Sequence, residues 1–151
     1  MEIEYISALT ALGAVVLSPL VAYFSVYHQV RASVLSTNRQ KWIDDLRNAV
    51  SEYCGLMNSL NQARSLGHQT YDDIYPKLQK SFELESKILL LLNSNEDKHK
   101  KISDLTTKGR VSVFGTDDLY HPEVWNEIWY EIIRTSSAIF KEEWQRVKDL
   151  K

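Results

Sequence analysis

The first thirty residues contain the feature that most limits what this chain can fold into. Residues 5–30 include no Asp, Glu, Lys or Arg, and residues 6–27 consist mostly of Ala, Val, Leu, Ile, Tyr and Phe. As a helix rising about 1.5 Å per residue, residues 6–27 would extend roughly 33 Å, enough to cross a hydrocarbon layer of about 30 Å. The sequence predicts a transmembrane anchor over residues 1–30 and a helical domain over residues 31–151.

The apolar run fits a cleaved signal peptide or a buried helix less well than it fits a membrane span. A cleaved secretory signal needs a basic segment before a short apolar core, whereas residues 1–4 are acidic. A buried helix of a soluble protein usually carries a polar stripe. Here the hydroxyl side chains of Ser7, Thr10, Ser18 and Ser25 are the only such interruptions. We therefore favour the membrane-spanning interpretation.

The flanking charges predict the orientation of the anchor. Lys and Arg near a transmembrane helix are retained on the cytoplasmic side. Arg31, Arg39 and Lys41 follow the apolar run, and no basic residue precedes it. We expect a single-pass protein of a bacterial inner membrane, with the N-terminus outside and the helical domain in the cytoplasm. The single Cys54 cannot form an intramolecular disulfide, as expected in a reducing compartment.

Small residues in the apolar run fall on one helical face, at steps of three and four residues. In lipid no hydrophobic force drives helices together, and small residues allow close backbone approach. We expect the anchor to form a homo-oligomer through this face, although Ala and Ser are also common in helices that do not associate. Pro19 removes one backbone donor, so a bend is expected there. The small-residue stripe consists of Ser7, Ala11, Ala14, Ser18, Ala22 and Ser25.

The rest of the chain, about 120 residues, is long enough for one hydrophobic core and too short for two ordinary domains. Apolar residues from 42 to 60 recur at helical spacing. This helix is expected either to continue from the anchor or to restart at Thr37, and to end at Gly67. A second helix should begin at Asp72 or Asp73, with Pro76 in its first turn.

A third helix is expected to begin within residues 94–97 and to end at Gly109. Residues 110–118 look like a loop, with a brief extended segment as an alternative over residues 111–114. Pro122 fits the first position of a last helix, whose wide apolar face predicts core and inter-helix packing for its three Trp residues. An aromatic patch at an interface is the alternative for these residues. The predicted fold class is all-α, an N-terminal transmembrane helix plus a cytosolic antiparallel helical bundle.

Three segments carry a resemblance to a known family. They are STNRQKWIDDLR at residues 36–47, LLNSNEDKH at residues 91–99 and FKEEWQRVK at residues 140–148. In order and spacing the chain resembles a widespread family of small bacterial single-pass membrane proteins with an NRQKWIDxLR-type helix after the span. The resemblance implies the architecture and no transferable activity.

The sequence contains only weak candidates for catalytic or cofactor sites. Glu96 and His99 have the spacing of a metal-binding helical pair, but none of the other His residues follows a Glu at that offset. Cys54 lies on an apolar helical face, which favours a packed thiol over a nucleophile. No phosphate-binding glycine motif is present. We therefore expect no enzyme, no cofactor and no metal site.

Two groups of charged residues are candidates for binding. The basic cluster could bind a phosphate ligand such as a nucleotide signal, or anionic lipid, or it is a solvated helix face. The juxtamembrane group lies where headgroups or a neighbouring subunit would be, and it could equally serve only to orient the helix. The basic cluster is Lys98, Lys100, Lys101, Lys108 and Arg110, and the juxtamembrane group is Arg31, Arg39, Lys41 and Trp42.

The balance of 18 basic and 20 acidic residues argues against a nucleic-acid binder. The sequence predicts a membrane-anchored interaction module that contacts lipid, assembles with itself and binds a cytosolic protein partner. The alternative is an oligomerising membrane effector of the antiphage type, gated by a signal sensed in the cytosolic domain. Such an effector is suggested by analogy at the level of the fold.

Overall fold

Four helices make up the structure, which is a computed structural model. It describes residues 2–67, 71–115 and 122–149, and within these ranges the side chains of residues 2–12, 14, 16, 71, 72 and 122 are not described. No strand occurs in those three ranges, so the predicted all-α class is confirmed. The helices are α1 (Glu2–Ser65), α2 (Tyr71–Leu91), α3 (Asp97–Phe114) and α4 (Pro122–Lys148).

Helix α1 is continuous from the apolar run into the bundle, which decides between the two alternatives for Thr37. Pro19 lies inside this helix. The helix ends as predicted, because Gly67 adopts a φ of 66° and its N–H donates to the Arg64 carbonyl over 3.0 Å. Glycine takes this left-handed conformation without steric cost, so it can close the helix.

The second half of α1 packs with the other helices as an antiparallel bundle, each helix reversing the direction of the one before it. Trp42 near the middle of α1 reaches Leu91 at the end of α2, and Asn58 contacts Trp125 near the start of α4. Lys98 near the start of α3 pairs with Glu142 near the end of α4. The end of the bundle where α1 emerges therefore also contains the α2–α3 connection and the end of α4.

The hydrophobic core lies between α1 and the three shorter helices. Trp125 is its largest fully buried side chain, and its ring lies edge-on to the ring of Tyr53. The core confirms the predicted α1 face and adds residues that periodicity alone did not assign. Its α1 members are Leu46, Ala49, Val50, Tyr53, Cys54, Met57 and Leu60, joined by Leu84 and Ile88 of α2, Ile102 and Val113 of α3, and Trp125, Ile128, Ile132 and Ile139 of α4.

Two predicted boundaries were wrong. Helix α3 continues through Gly109 to Phe114, so residues 110–114 are neither loop nor extended segment. Gly109 allows the Trp125 ring to approach α3 closely, because an added Cβ would lie 2.7 Å from Cζ3 of that ring. Helix α2 begins at Tyr71, which places Pro76 beyond the first turn. Residues 116–118 of the predicted loop lie outside the described residues.

Several large apolar side chains of α2 and α4 are exposed. They include Phe82 and Leu89 on α2, and Ile133 and Trp144 on α4. The apolar face of each of these helices is wider than the area that the neighbouring helices cover. The prediction that all three Trp residues of α4 are core residues holds for Trp125, fails for Trp144 and holds in part for Trp129, which packs against the core while partly exposed.

Across the described part of the chain, no helix combines the length and the apolar character needed to cross a membrane. The predicted transmembrane anchor is therefore not confirmed.

Candidate interaction surfaces

Trp42 connects α1 to the rest of the bundle at the point where the helix emerges. Its indole N–H donates to the Leu91 carbonyl over 2.7 Å, and its ring stacks on His99 at 5.8 Å between centroids and 23° between planes. The hydrogen bond satisfies a carbonyl at the end of α2 that has no partner within its own helix. Trp42 therefore fixes the direction of α1 relative to the α2–α3 connection.

His99 holds the same connection in place from the α3 side. It is buried, and its Nδ1 accepts the Asn93 N–H over 2.8 Å. Because Nδ1 accepts, the ring proton of the neutral imidazole resides on Nε2. That nitrogen lies 3.7 Å from a carboxylate oxygen of Glu96. The spacing of Glu96 and His99 thus serves to organise the loop.

Charges around this junction balance one another. Arg39 of α1 lies 3.2 Å from the largely buried carboxylate of Glu143, which also pairs with Arg146. Arg146 in turn approaches Glu96 at 3.9 Å. These contacts tie the emerging α1 to α4 as well as to the α2–α3 connection. Of the juxtamembrane group, Arg39 and Trp42 take part in the junction.

A cavity of about 440 Å³ opens between these residues, lined by both arginines and both glutamates. Its walls combine aromatic and amide groups with two arginines and two glutamates, so the formal charges of these four residues cancel. Further lining comes from Leu35, Asn38, Trp42, Leu91, Leu92, Asn93 and His99. Arg31 and Lys41 are exposed on α1 nearby in sequence.

The basic cluster is distributed along α3, and carboxylates lie close to four of its members. Lys98 pairs with Glu142, Lys101 with Glu131, and Lys100 lies 4.0 Å from Asp97. The Lys98 ammonium lowers the pKa of the Glu142 carboxyl through their hydrogen bond, and Lys101 lowers that of Glu131 in the same way.

The fourth partnered member of the basic cluster, Arg110, points toward α2, and Lys108 is exposed. An anion would have to compete with a carboxylate at each of the four paired positions. The anion-binding prediction stays a prediction, and these contacts give it no preorganised site.

Glu85 and Arg110 form a partly buried ion pair between α2 and α3 that sequence reasoning did not find. Arg110 Nε lies 2.7 Å from the carboxylate of Glu85, which also accepts a 2.7 Å hydrogen bond from Thr107, while the guanidinium sits over the Phe82 ring. A carboxylate among apolar residues at helical spacing is the available sequence signal, since Glu85 lies three residues after Phe82 and three residues before Ile88.

Burial also shifts two acid–base equilibria in the core. It raises the pKa of the Tyr53 phenol, with the negative charge of Glu85 adding in the same direction. The phenol donates a 2.5 Å hydrogen bond to the Thr106 carbonyl. Burial raises the pKa of the Cys54 thiol to about 12, and the thiol lies in the core, on the helical face that the sequence predicted. Within the described residues, no three His, Cys, Asp or Glu side chains group as metal ligands.

An exposed face of α4 carries Tyr130, Ile133 and Trp144, which recur on one side of the helix. Trp144 borders a groove between α1 and α4 that also contains Phe140 and Arg47. Exposed aromatic and arginine side chains of this kind are enriched at protein interfaces.

The N-terminal half of α1 extends away from the bundle, and we call its residues 15–35 the arm. Large apolar side chains of the arm are exposed. In the small-residue stripe, Ser18, Ala22 and Ser25 are also exposed, whereas Ser7, Ala11 and Ala14 lie outside the described side chains. The exposed large residues of the arm are Val15, Leu17, Leu20, Val21, Tyr23, Phe24, Val26, Tyr27, Val30, Val34 and Leu35.

No protein-family model, curated protein or solved structure matches this chain. The resemblance to small bacterial membrane proteins therefore stays a prediction, and the function has to be inferred from the chain's own residues.

Proposed function

We propose that this protein is a membrane-anchored helical interaction module, in which the apolar N-terminal part of α1 inserts in a bilayer and holds the bundle at its surface. The observation that carries the proposal is the apolar surface of the arm. Exposed apolar side chains cover all of its circumference except the small-residue stripe. An apolar patch of more than a few hundred Å² is unusual on a soluble monomer and indicates a partner or a membrane.

Lipid is the environment that best suits this surface. The charge-free run extends from residue 5 to residue 30, whereas a helix that binds a single protein groove presents only one apolar face. Arg31, Arg39 and Lys41 follow the run on the side expected to face the cytoplasm. In this arrangement the helix is the anchor, and lipid is its main contact.

The connection between anchor and bundle supports a role in presenting a surface at a defined orientation. Trp42 and Arg39 tie α1 to two other helices, so the bundle cannot swing freely about the end of the arm. The exposed face of α4, with Tyr130, Ile133 and Trp144, is the surface we assign to a cytosolic protein partner. The function is binding and assembly, without catalysis.

The test is membrane extraction of the full chain. The unaltered protein should stay with membranes in alkaline carbonate and float with vesicles in a density gradient. Leu17→Lys together with Val21→Lys should release it, since each lysine near the centre of a span opposes insertion by about 2.5–3.5 kcal/mol. Leu90→Lys together with Val111→Lys, at exposed positions on the bundle, is the matched control and should remain bound.

Loss of the unaltered protein into the carbonate supernatant would refute the anchor. The proposal also predicts that cells expressing the protein keep their membrane potential. Depolarisation would instead favour an effector that permeabilises the bilayer.

A further inference from the structure

The arm carries an apolar ridge with a spacing of its own. Five of its residues follow one another at steps of three, four, three and four, an average of 3.5. This is the repeat of the seam between two helices of a coiled coil. All five side chains are between 51% and 66% exposed. The ridge consists of Leu20, Tyr23, Tyr27, Val30 and Val34.

Lipid alone does not account for the whole ridge. If residues 6–27 span the bilayer, Val34 lies about 10 Å beyond the end of the span along the helix axis. Arg31 lies between Val30 and Val34, which places this part of the helix among headgroups or in water. The bundle does not cover either valine, since both remain more than half exposed. The membrane-proximal end of the ridge therefore needs another partner.

We infer that this partner is a second copy of the chain, aligned in parallel along the ridge. The inference rests on the proposed anchoring, because two copies inserted in one bilayer with the same orientation have their helices parallel. A seam with a 3.5-residue repeat is complementary to itself in that arrangement.

The residues of the ridge fill both core positions of a heptad repeat. With Leu20, Tyr27 and Val34 at the first core position of each heptad, Tyr23 and Val30 occupy the second. Within the span this pairing replaces lipid contacts by helix contacts, and beyond the span it removes Val30 and Val34 of both copies from water.

Charge does not oppose the pairing. Arg31 is the charged residue of this segment, and in the parallel register it flanks the seam opposite Val26 of the second copy. No like charges then face each other across the helices. The same register turns Ser25 and Ala32 outward, so the ridge and the small-residue stripe predict opposite contact faces.

Disulfide cross-linking of the full chain in vesicles tests the inference. Val30→Cys and Val34→Cys should give covalent dimers several-fold more efficiently than Ser25→Cys and Ala32→Cys under mild oxidation. Native Cys54 can be retained because it is 4% exposed and burial raises its thiol pKa to about 12. The unaltered chain is the control and should show no cross-link through Cys54.

Equal cross-linking at all four positions, or none at positions 30 and 34, would overturn the inference. Cross-links confined to positions 25 and 32 would also overturn it and would assign assembly to the stripe. Flotation of the same vesicles separates this outcome from failure of the anchor, since an anchored protein that does not cross-link floats, whereas an unanchored one does not.

Discussion

Gly109→Ala should destabilise the bundle, although alanine is the better helix former. An added Cβ would lie 2.7 Å from Cζ3 of Trp125 and 3.2 Å from the Tyr53 hydroxyl. Neither ring can move away easily, because the Trp125 indole donates to Asn58 over 2.6 Å and the Tyr53 hydroxyl donates to Thr106 over 2.5 Å. The substitution therefore forces α3 away from α4 or displaces a fully buried ring.

The magnitude follows from two opposing effects. Overpacking a rigid core costs about 1–3 kcal/mol. Replacing glycine by alanine within a helix favours folding by about 1 kcal/mol. Since both contacting rings are held in place, the overpacking effect should lie near its upper limit, and the net loss should be about 1–2 kcal/mol. At about 2–4 °C per kcal/mol for a chain of this length, the melting temperature would fall by about 2–8 °C.

Thermal unfolding of the full chain, followed by circular dichroism and tryptophan fluorescence, measures the effect. Gly55→Ala is the matched control, since Gly55 also lies within a helix but an added Cβ would meet nothing within 4 Å. This control should raise stability by about 0.4–1 kcal/mol. In a Trp125→Phe background the penalty at position 109 should shrink, because the two sites share a contact. If Gly109→Ala stabilises the protein as much as Gly55→Ala, the close approach of α3 and α4 is wrong.

Three further predictions concern other parts of the fold and are tested by equilibrium unfolding. Arg110→Met should cost about 3 kcal/mol, because it leaves the Glu85 carboxylate buried without its cation. Adding Glu85→Met should recover most of that loss. Equal stability of the single and double variants would contradict the buried ion pair. Trp42→Phe should cost about 1–2 kcal/mol, because it leaves the Leu91 carbonyl without its donor. The control Trp144→Phe should change stability by less than about 0.5 kcal/mol. Similar effects at both positions would argue against the Trp42 hydrogen bond. Burial raises the thiol pKa of Cys54 in the folded protein to about 12, whereas an unfolded thiol ionises near about 8.5. The contribution of the protonated thiol to the free energy of unfolding is therefore complete below about pH 8.5 and is lost as pH rises toward 12. Cys54→Ala should make the fall in stability with pH shallower by up to about 1.4 kcal/mol per pH unit, and an unchanged pH dependence would refute the assignment.

Local patterns predicted the helices well where one face had to be buried. The repeat from Trp42 to Leu60 identified the α1 core face, and Pro122 marked the start of α4. These features are local, since they depend on helical periodicity and on the missing N–H of proline. The predicted end of α3 at Gly109 was wrong because glycine has two structural roles in helices. It can end a helix, or it can let a second helix approach closely, and only the position of Trp125 distinguishes them.

The candidate surfaces were predicted less completely, because they depend on which helices become neighbours. Trp42 and Arg39 were identified from their position after the apolar run, but their contacts with Leu91 and Glu143 join residues far apart in sequence. The basic cluster shows the opposite case. Three of its lysines lie within four residues of sequence, yet the fold brings carboxylates of α4 against Lys98 and Lys101.

The sequence by itself determined that this chain is helical, that its charge is balanced and that residues 5–30 form a charge-free, mostly apolar run, because these properties follow from residue type and spacing alone. The tertiary structure decided that the apolar run and the first bundle helix are one continuous helix, where Glu85 and His99 find their partners, and which aromatic residues of α4 stay exposed. Burial and pairing depend on residues brought together from distant parts of the chain, and helical periodicity contains no information about them.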